Sequence, residues 1–295
     1  MKHIILLIVL FAVTTAIYAD ATDVRFTIIT PRGVLKSHNK WRNIGHYISD
    51  QIGKHISVVH LPPKLIMVTA KMGNSDFILT NPTIALNLQE KLGFKPIATL
   101  NRNVTGSLLG GVIIARKDSG IETAKDLIGK KVVYFKKGSA AANIFQLYHL
   151  KTHGVDPKRD FASFSSLASL SSNYSRQDQI VQAVMNNVID AGFVKTGIIE
   201  AMAKEGKLSL SEVSIVDRQT SEYPHAHTTK LYPEWYVVAS PKMDQKVVGA
   251  FQQALLAMKP KNKVAEKARI QGFVEPLPSD DLKEVLVTLK APPFN

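Results

Sequence analysis

Cysteine is absent from all 295 residues. Its absence excludes disulfides, thiolate metal sites, a cysteine nucleophile and a lipid-bearing cysteine behind an export signal. Aromatics are sparse, 7% of the chain with 2 tryptophans, and none are interleaved with bases in the way that motifs reading nucleic acid require. Past the amino-terminal stretch no uncharged run approaches the roughly 20 apolar residues that cross a bilayer. A G-x-S-x-G elbow, a Walker loop, a dinucleotide fingerprint and H-E-x-x-H are all missing, and Gly138-Ser139-Ala140 lacks the elbow's frame. No nucleophile or acid–base pair stands out, no cofactor is expected, and an enzyme is the least supported reading.

What is present begins with Met1-Lys2-His3, an apolar stretch over 4–13 and a small-residue exit at Ala19-Asp20-Ala21. This is the form of a secretory signal, with cleavage expected after Ala21. A membrane anchor is the competing reading, but the strictly apolar run is about half of what a span needs. The net charge is +13, and Lys2 and Asp20 cancel within the signal, so the processed chain keeps the excess. Such a field draws anionic partners. Nucleic acid fits the sign, yet the bases are scattered along the chain and no nucleic-acid partner is expected. For most of the lysines an ordinary solvated surface explains the charge equally well.

After processing, roughly 270 residues allow two lobes of ordinary size. Along the chain, β-rich runs alternate with helical ones: strands at 24–30, 56–61, 77–80 and 96–100, with helices at 37–52, 63–72 and from Asn81-Pro82 to Gly93. The order returns from Lys130: strands at 131–135, 161–164, 191–194 and 213–216, with helices at 139–153, 176–187 and 196–204. Serine-rich 163–172 reads as a loop. The likeness is sharpest between Asp76-Phe77-Ile78-Leu79-Thr80-Asn81-Pro82 and Asp190-Ala191-Gly192-Phe193-Val194-Lys195-Thr196-Gly197, each an acid, a short apolar strand and a polar helix opening. Alternation of this kind predicts α/β architecture with doubly wound parallel sheets. Strand-like 110–116 and 235–240 read as two crossings that hinge the lobes. The expected division is 22–111 with 240–295 as lobe 1 and 112–239 as lobe 2, the tail helices at 245–258 and 280–290 packing back on lobe 1.

Ligands of open parallel sheets bind beyond the carboxyl ends of the strands, where helix amino ends present unpaired N–H groups. Candidates for such openings are Thr80 with Asn81, Ser139, and Lys195 with Thr196. Each alone reads as an ordinary cap, and their recurrence in both halves is what suggests a shared site for a small anionic ligand. Arg32, in a Pro-Arg-Gly turn, has the bidentate geometry for an oxyanion or is simply exposed. Trp41, Tyr134, Tyr232 and Trp235 are candidates to line a cleft, with Trp41 equally suited to the core. His225 and His227 with Glu222 make too weak a spacing for zinc. No metal is expected there, and His227 is assigned instead to a hydrogen bond facing the cleft.

Phe77-Ile78-Leu79-Thr80-Asn81-Pro82, Gly110-Gly111-Val112-Ile113, Asp160-Phe161-Ala162-Ser163, Asp190-Ala191-Gly192 and Leu231-Tyr232-Pro233-Glu234-Trp235 together resemble the phosphate/phosphite/phosphonate-binding group of periplasmic solute-binding proteins that serve ABC importers. The T-N-P and L-Y-P-E-W stretches most resemble the branch found as sensor modules of tetrathionate-type histidine kinases. The resemblance implies a type II periplasmic binding fold, two α/β lobes with a two-strand hinge and an oxyanion held at helix amino ends. It also implies periplasmic location, with an ABC permease or a separate sensor histidine kinase as partner. By position it puts Thr80, Asn81, Ser139 and Thr196 on cleft-facing openings. Lys136-Lys137-Gly138-Ser139-Ala140 departs from the hydroxyl-rich loop of relatives, and its paired lysines would compensate with charge.

Overall fold

The computed structural model describes residues 23–295 except Arg32, so the expected signal at 1–21 and the candidate Arg32 lie outside the described residues. In chain order the first half forms β1 (Val24–Ile29), α1 (Val34–Trp41), α2 (Ile44–Ile52), β2 (Ile56–Leu61), α3 (Pro63–Lys71), β3 (Phe77–Thr80), α4 (Pro82–Leu92) and β4 (Lys95–Arg102). A short β5 (Leu108–Leu109) leads to β6 (Gly111–Arg116), β7 (Lys131–Tyr134), α5 (Phe145–Thr152), α6 (Pro157–Asp160), β8 (Ser163–Ser166), α7 (Asp178–Met185), β9 (Ala191–Lys195), α8 (Ile198–Lys204) and β10 (Val213–Ile215). The chain ends with β11 (Tyr232–Pro233), β12 (Tyr236–Ala239), α9 (Gln245–Leu256), α10 (Lys263–Ala268), β13 (Ile270–Val274) and α11 (Asp280–Thr288).

These strands build two large sheets. The first has the order β2-β1-β3-β12-β4-β13 and the second β8-β7-β9-β6-β10. In each, three parallel strands are followed by antiparallel ones: β1 pairs parallel with β2 and β3, β7 with β8 and β9, while β12 and β6 run against their neighbours. Both faces are buried, so the strands read as nearly unbroken apolar runs whose alternate residues enter different cores. Phe77 and Leu79 face the core under α1, α2, α9 and α10, while Ile78 faces the one under α3 and α4. Likewise Val112 and Ile114 meet α7 and α8, while Ile113 and Ala115 join Leu150 and Phe193 on the other side.

The internal likeness seen in the sequence has a structural counterpart at Asp76 and Asp190. Asp76 Oδ2 accepts the Arg25 N–H at 2.8 Å, and Asp190 Oδ2 accepts the Lys131 N–H at 2.7 Å. Each carboxylate thereby satisfies the first exposed donor of the neighbouring parallel strand and sets its register. Asp76 also receives the Arg25 guanidinium at 2.9 and 3.1 Å.

Several expectations are corrected. β12 lies between β3 and β4 in the first sheet, so lobe 1 regains the chain before residue 240. The crossing is made instead by β5 and β11, which pair antiparallel with Tyr232 opposite Leu109. Periodicity marks β12 as a strand but cannot say which sheet it joins. The helix expected over 37–52 breaks at Arg42-Asn43. Within 163–172 the first four residues are the edge strand β8, paired with β7, so that the strand expected at 161–164 is shifted by two residues. α11 packs on both lobes: Leu282, Val285 and Leu286 share a core with Leu86 of α4, Phe145 of α5 and the crossing residues Leu109 and Tyr232.

Candidate functional site at the facing sheet edges

The parallel strands of each sheet end where the crossing segments enter. Tyr236, the first residue of β12, stands opposite Thr80 at the end of β3, and Gly111, the first residue of β6, stands opposite Lys195 at the end of β9. The carboxyl edges of the two sheets therefore flank the β5–β11 ribbon and share one gap. Lys136, just past β7, reaches over it and donates from Nζ to the Pro31 carbonyl just past β1, at 3.2 Å.

On the first-lobe side, Thr30 and Thr80 are buried at 3% and 0% exposure, and neither hydroxyl has a hydrogen-bond partner. A buried hydroxyl without a partner is costly, and such groups mark sites where another molecule supplies the bond. Asn81 caps α4: its Oδ1 accepts the Ile84 N–H at 2.9 Å and the Thr83 hydroxyl at 2.8 Å, with Pro82 in the first helical turn. Its oxygen is thus committed to the helix.

On the second-lobe side the helix expected to start at Ser139 opens as a π-turn over 140–144, with Ala142 at φ −135°, before α5 proper. Ser139 caps nothing with its side chain, and its carbonyl accepts the Ile144 N–H. The turn is fixed from inside. Gln146 Nε2 donates to the carbonyls of Ala141, Val194 and Val112 at 3.0, 2.9 and 3.4 Å, knitting the turn to β9 and β6. A Cβ at position 111 would stand 2.5 Å from the Gln146 side chain, so that approach requires Gly111. Asn143 donates to the Lys137 carbonyl at 2.8 Å, and its Oδ1, like Gln146 Oε1, is buried without a partner. Asn143 and Gln146 escaped the sequence reading because amides inside an expected helix carry no local signal. Tyr134, half-buried at the end of β7, leans on Phe164 with ring centroids 4.7 Å apart.

Other candidates sit elsewhere. Trp41 is 3% exposed in the core of lobe 1, because the break after α1 turns its ring inward. Tyr232 is 1% exposed, its ring 4.1 Å from that of Phe145 beneath α11. Thr196 is fully buried and its hydroxyl accepts the Gly110 N–H at 3.3 Å, tying β9 to the crossing rather than opening a helix. The cap of α8 is Gly197, at φ +80° where a side chain is strained. His227 spends both nitrogens internally: Nδ1 donates to the Thr229 carbonyl at 2.8 Å, which leaves Nε2 to accept the Ser221 hydroxyl at 2.7 Å. It has no nitrogen left for a ligand.

At the root of the ribbon lies a charge cluster. Arg102 Nε stands 2.7 Å from Glu234 Oε1, with its N–H poorly aligned, so the contact is an ion pair more than a directed bond. The Glu234 side chain is 2% exposed. Burial works against its charge, but Arg102 and Lys195 outweigh that and hold its carboxyl below the ordinary value. Arg102 also sits over the half-buried Trp235 ring, 5.2 Å from its centroid. Two surface concavities, of about 70 Å³ beside Lys95 and Pro241 and about 450 Å³ beside Lys117 and Arg218, lie away from the gap.

The arrangement of lobes, ribbon and facing edges can be compared with known proteins. A family profile described as ABC transporter, phosphonate, periplasmic substrate-binding protein matches residues 26–281. The chain belongs to this family. Its members are solute-binding proteins, not enzymes. The tetrathionate sensor histidine kinase TtrS of Salmonella typhimurium is 25% identical over 234 residues, covering 77% of this chain and 38% of the kinase. The chain thus spans well under half of that relative's length. Among solved structures, XAC2383 from Xanthomonas citri bound to ATP superposes with a TM-score of 0.70 at 14% identity, covering 90% of this chain and 96% of that one. PhnD1 from Prochlorococcus marinus in complex with methylphosphonate gives 0.64 at 12%, covering 92% and 99%. These likenesses place this phosphonate-family protein in the type II periplasmic binding fold, with two doubly wound lobes and a two-strand hinge. Among the described residues no helix is long and apolar enough to cross a membrane.

Proposed function

We propose that the protein captures a small oxyanion between its lobes in the periplasm, after signal cleavage at Ala21, and delivers it to an ABC permease. The observation that carries this reading is the sharing of one gap by both carboxyl edges, with unpartnered hydroxyls at Thr30 and Thr80 on one side and Lys136 and Ser139 on the other. Hydroxyl donors and the amino end of α4 favour negative charge, and the net charge of +13 steers anions toward it. Lys195, Tyr134, Trp235 and Asn81 complete the proposed lining. Arg32 follows Pro31 in the sequence and is included in the proposal for its guanidinium chemistry alone.

A sensing role is the second reading, favoured by the likeness to a sensor histidine kinase. In it the same closure presents the closed form to a separate kinase. Calorimetric titration of phosphate, phosphite, phosphonates, sulfate, thiosulfate and tetrathionate tests the shared core of both. One anion should bind at one per chain, and Thr80→Val, which keeps the shape, should weaken it by about 1–3 kcal/mol. Silence across the panel would overturn the oxyanion reading. Pull-down of a permease or of a kinase periplasmic domain, with and without the anion, separates delivery from sensing.

A further inference from the structure

Away from the gap, toward the carboxyl end of α5, three ligating side chains converge. His149 and His153 are four residues apart on one helix face, with rings stacked at a centroid distance of 4.1 Å. His149 Nε2 is 2.8 Å from Asp217 Oδ2, and one ligand atom from each of the three residues lies within 4.8 Å of the others. We propose that His149, His153 and Asp217 form a binding site for a zinc-type divalent ion, independent of the anion site.

The supporting groups already orient the ligands. His153 Nδ1 lies 2.7 Å from the His149 carbonyl, which only accepts, so Nδ1 carries the hydrogen and Nε2 keeps its lone pair. A second-ring-nitrogen bond to a backbone carbonyl is how ligating histidines are commonly held. Asp217 is anchored through its own N–H to the Glu122 carbonyl at 2.8 Å and through its carboxylate by the Ala124 N–H at 3.2 Å. Its φ of +45° lies in the left-handed region, which Asp adopts more readily than most side chains.

Two imidazoles and one carboxylate suit zinc, with bonds of about 2.0–2.2 Å, and leave a fourth position for water on the side of exposed His153. Ligand atoms around such an ion stand about 3.3 Å apart, so the His149–Asp217 pair opens by about half an ångström. Nε2 of His149 gives up the hydrogen it directs at Asp217, and the ring carries it on Nδ1. Magnesium and calcium, which prefer all-oxygen shells, fit this donor set poorly. The ion would tie α5 to the segment between β10 and the second crossing strand. α5 is joined in turn to α11, where Tyr148 donates to Glu284 at 2.6 Å and Lys151 to the Thr288 carbonyl at 2.6 Å.

The test uses untagged, chelator-stripped protein titrated with zinc chloride, read by calorimetry and by thermal melting, with cobalt(II) as a spectroscopic probe. Expected are one ion per chain, a melting temperature that rises with zinc, a tetrahedral cobalt absorption band, and no effect of magnesium. His153→Ala changes an exposed residue and should leave the fold intact. It should weaken zinc by more than the roughly 10–100-fold that outer-sphere changes cost. Asp217→Asn should do the same, and anion binding should survive in both. No stoichiometric zinc uptake overturns the proposal. So does unchanged affinity in His153→Ala, which would move the ion to another pair such as His38 and His60, whose centroids are 5.6 Å apart.

Discussion

At the residue scale the most consequential group is Glu234, a carboxylate locked into the root of the hinge. It is held ionised against burial by Arg102 and Lys195, so its proton binds more weakly in the folded chain than in the unfolded one. The stability it contributes is therefore whole above the unfolded value of about 4.3 and is lost as pH falls through the lower folded value. Glu234→Gln leaves Arg102 without its partner, and at pH 7 it should cost about 3 kcal/mol. Denaturant unfolding at stepped pH should show the gap between wild type and variant closing below about pH 4. A gap of constant size would remove Glu234 from the acid response. Thr196 teaches the same lesson about position. As a residue type it suits a helix cap, yet in place it is a stitch between β9 and Gly110.

Among the elements, α11 joins parts that the sheets leave separate. One face of this helix touches α4 of lobe 1, α5 of lobe 2 and the ribbon residues Leu109 and Tyr232. Leu286 is fully buried there, so Leu286→Ala should destabilise the protein by about 2–5 kcal/mol in urea unfolding. A loss under about 1 kcal/mol would show the helix to be a detachable strap. The π-turn that opens α5 is a second element with a stated cause. Consecutive alanines at 140–142 let the turn lie against β9, and Gln146 holds it there through three carbonyls. That places the Lys136–Ser139 loop at the gap instead of behind a regular helix.

Over the whole molecule, the proposed function requires closure about the two-strand ribbon, driven by contacts that both lobes would make with one ligand. Lys136 already spans the gap, but its bond to Pro31 is exposed and so contributes little by itself. Its larger role in the proposed function is electrostatic. Lys136→Ala should weaken anion binding by about tenfold or less and flatten its salt dependence, measured by titration from low salt to about 1 M, where screening acts within about 3 Å. An unaltered salt dependence would place the steering charge elsewhere.

The chain's own pattern was enough to reveal alternating strands and helices, their doubled order and the α/β class, because periodicity and glycine stops are local properties. Gly53 and Gly93 end α2 and α4 in the left-handed conformation, as their positions foretold. Asn81 capping α4 was legible for the same reason. The membership of β12 in the first sheet, the inward turn of Trp41, the burial of Tyr232 and the full occupation of His227 were not. The first three depend on partners far away in sequence, such as Phe145 for Tyr232 and the β3–β4 pair for β12. His227 is occupied by Ser221 and Thr229, six and two residues away, through a loop geometry that carries no periodic signal. Which residues can be strand, helix or cap was written along the chain. Which of them meet across the gap was decided only when the two lobes came together, and that His149, His153 and Asp217 meet at all was decided when α5 packed on the second sheet beside the segment after β10. Side-chain proximity across long loops leaves no periodic trace in the sequence.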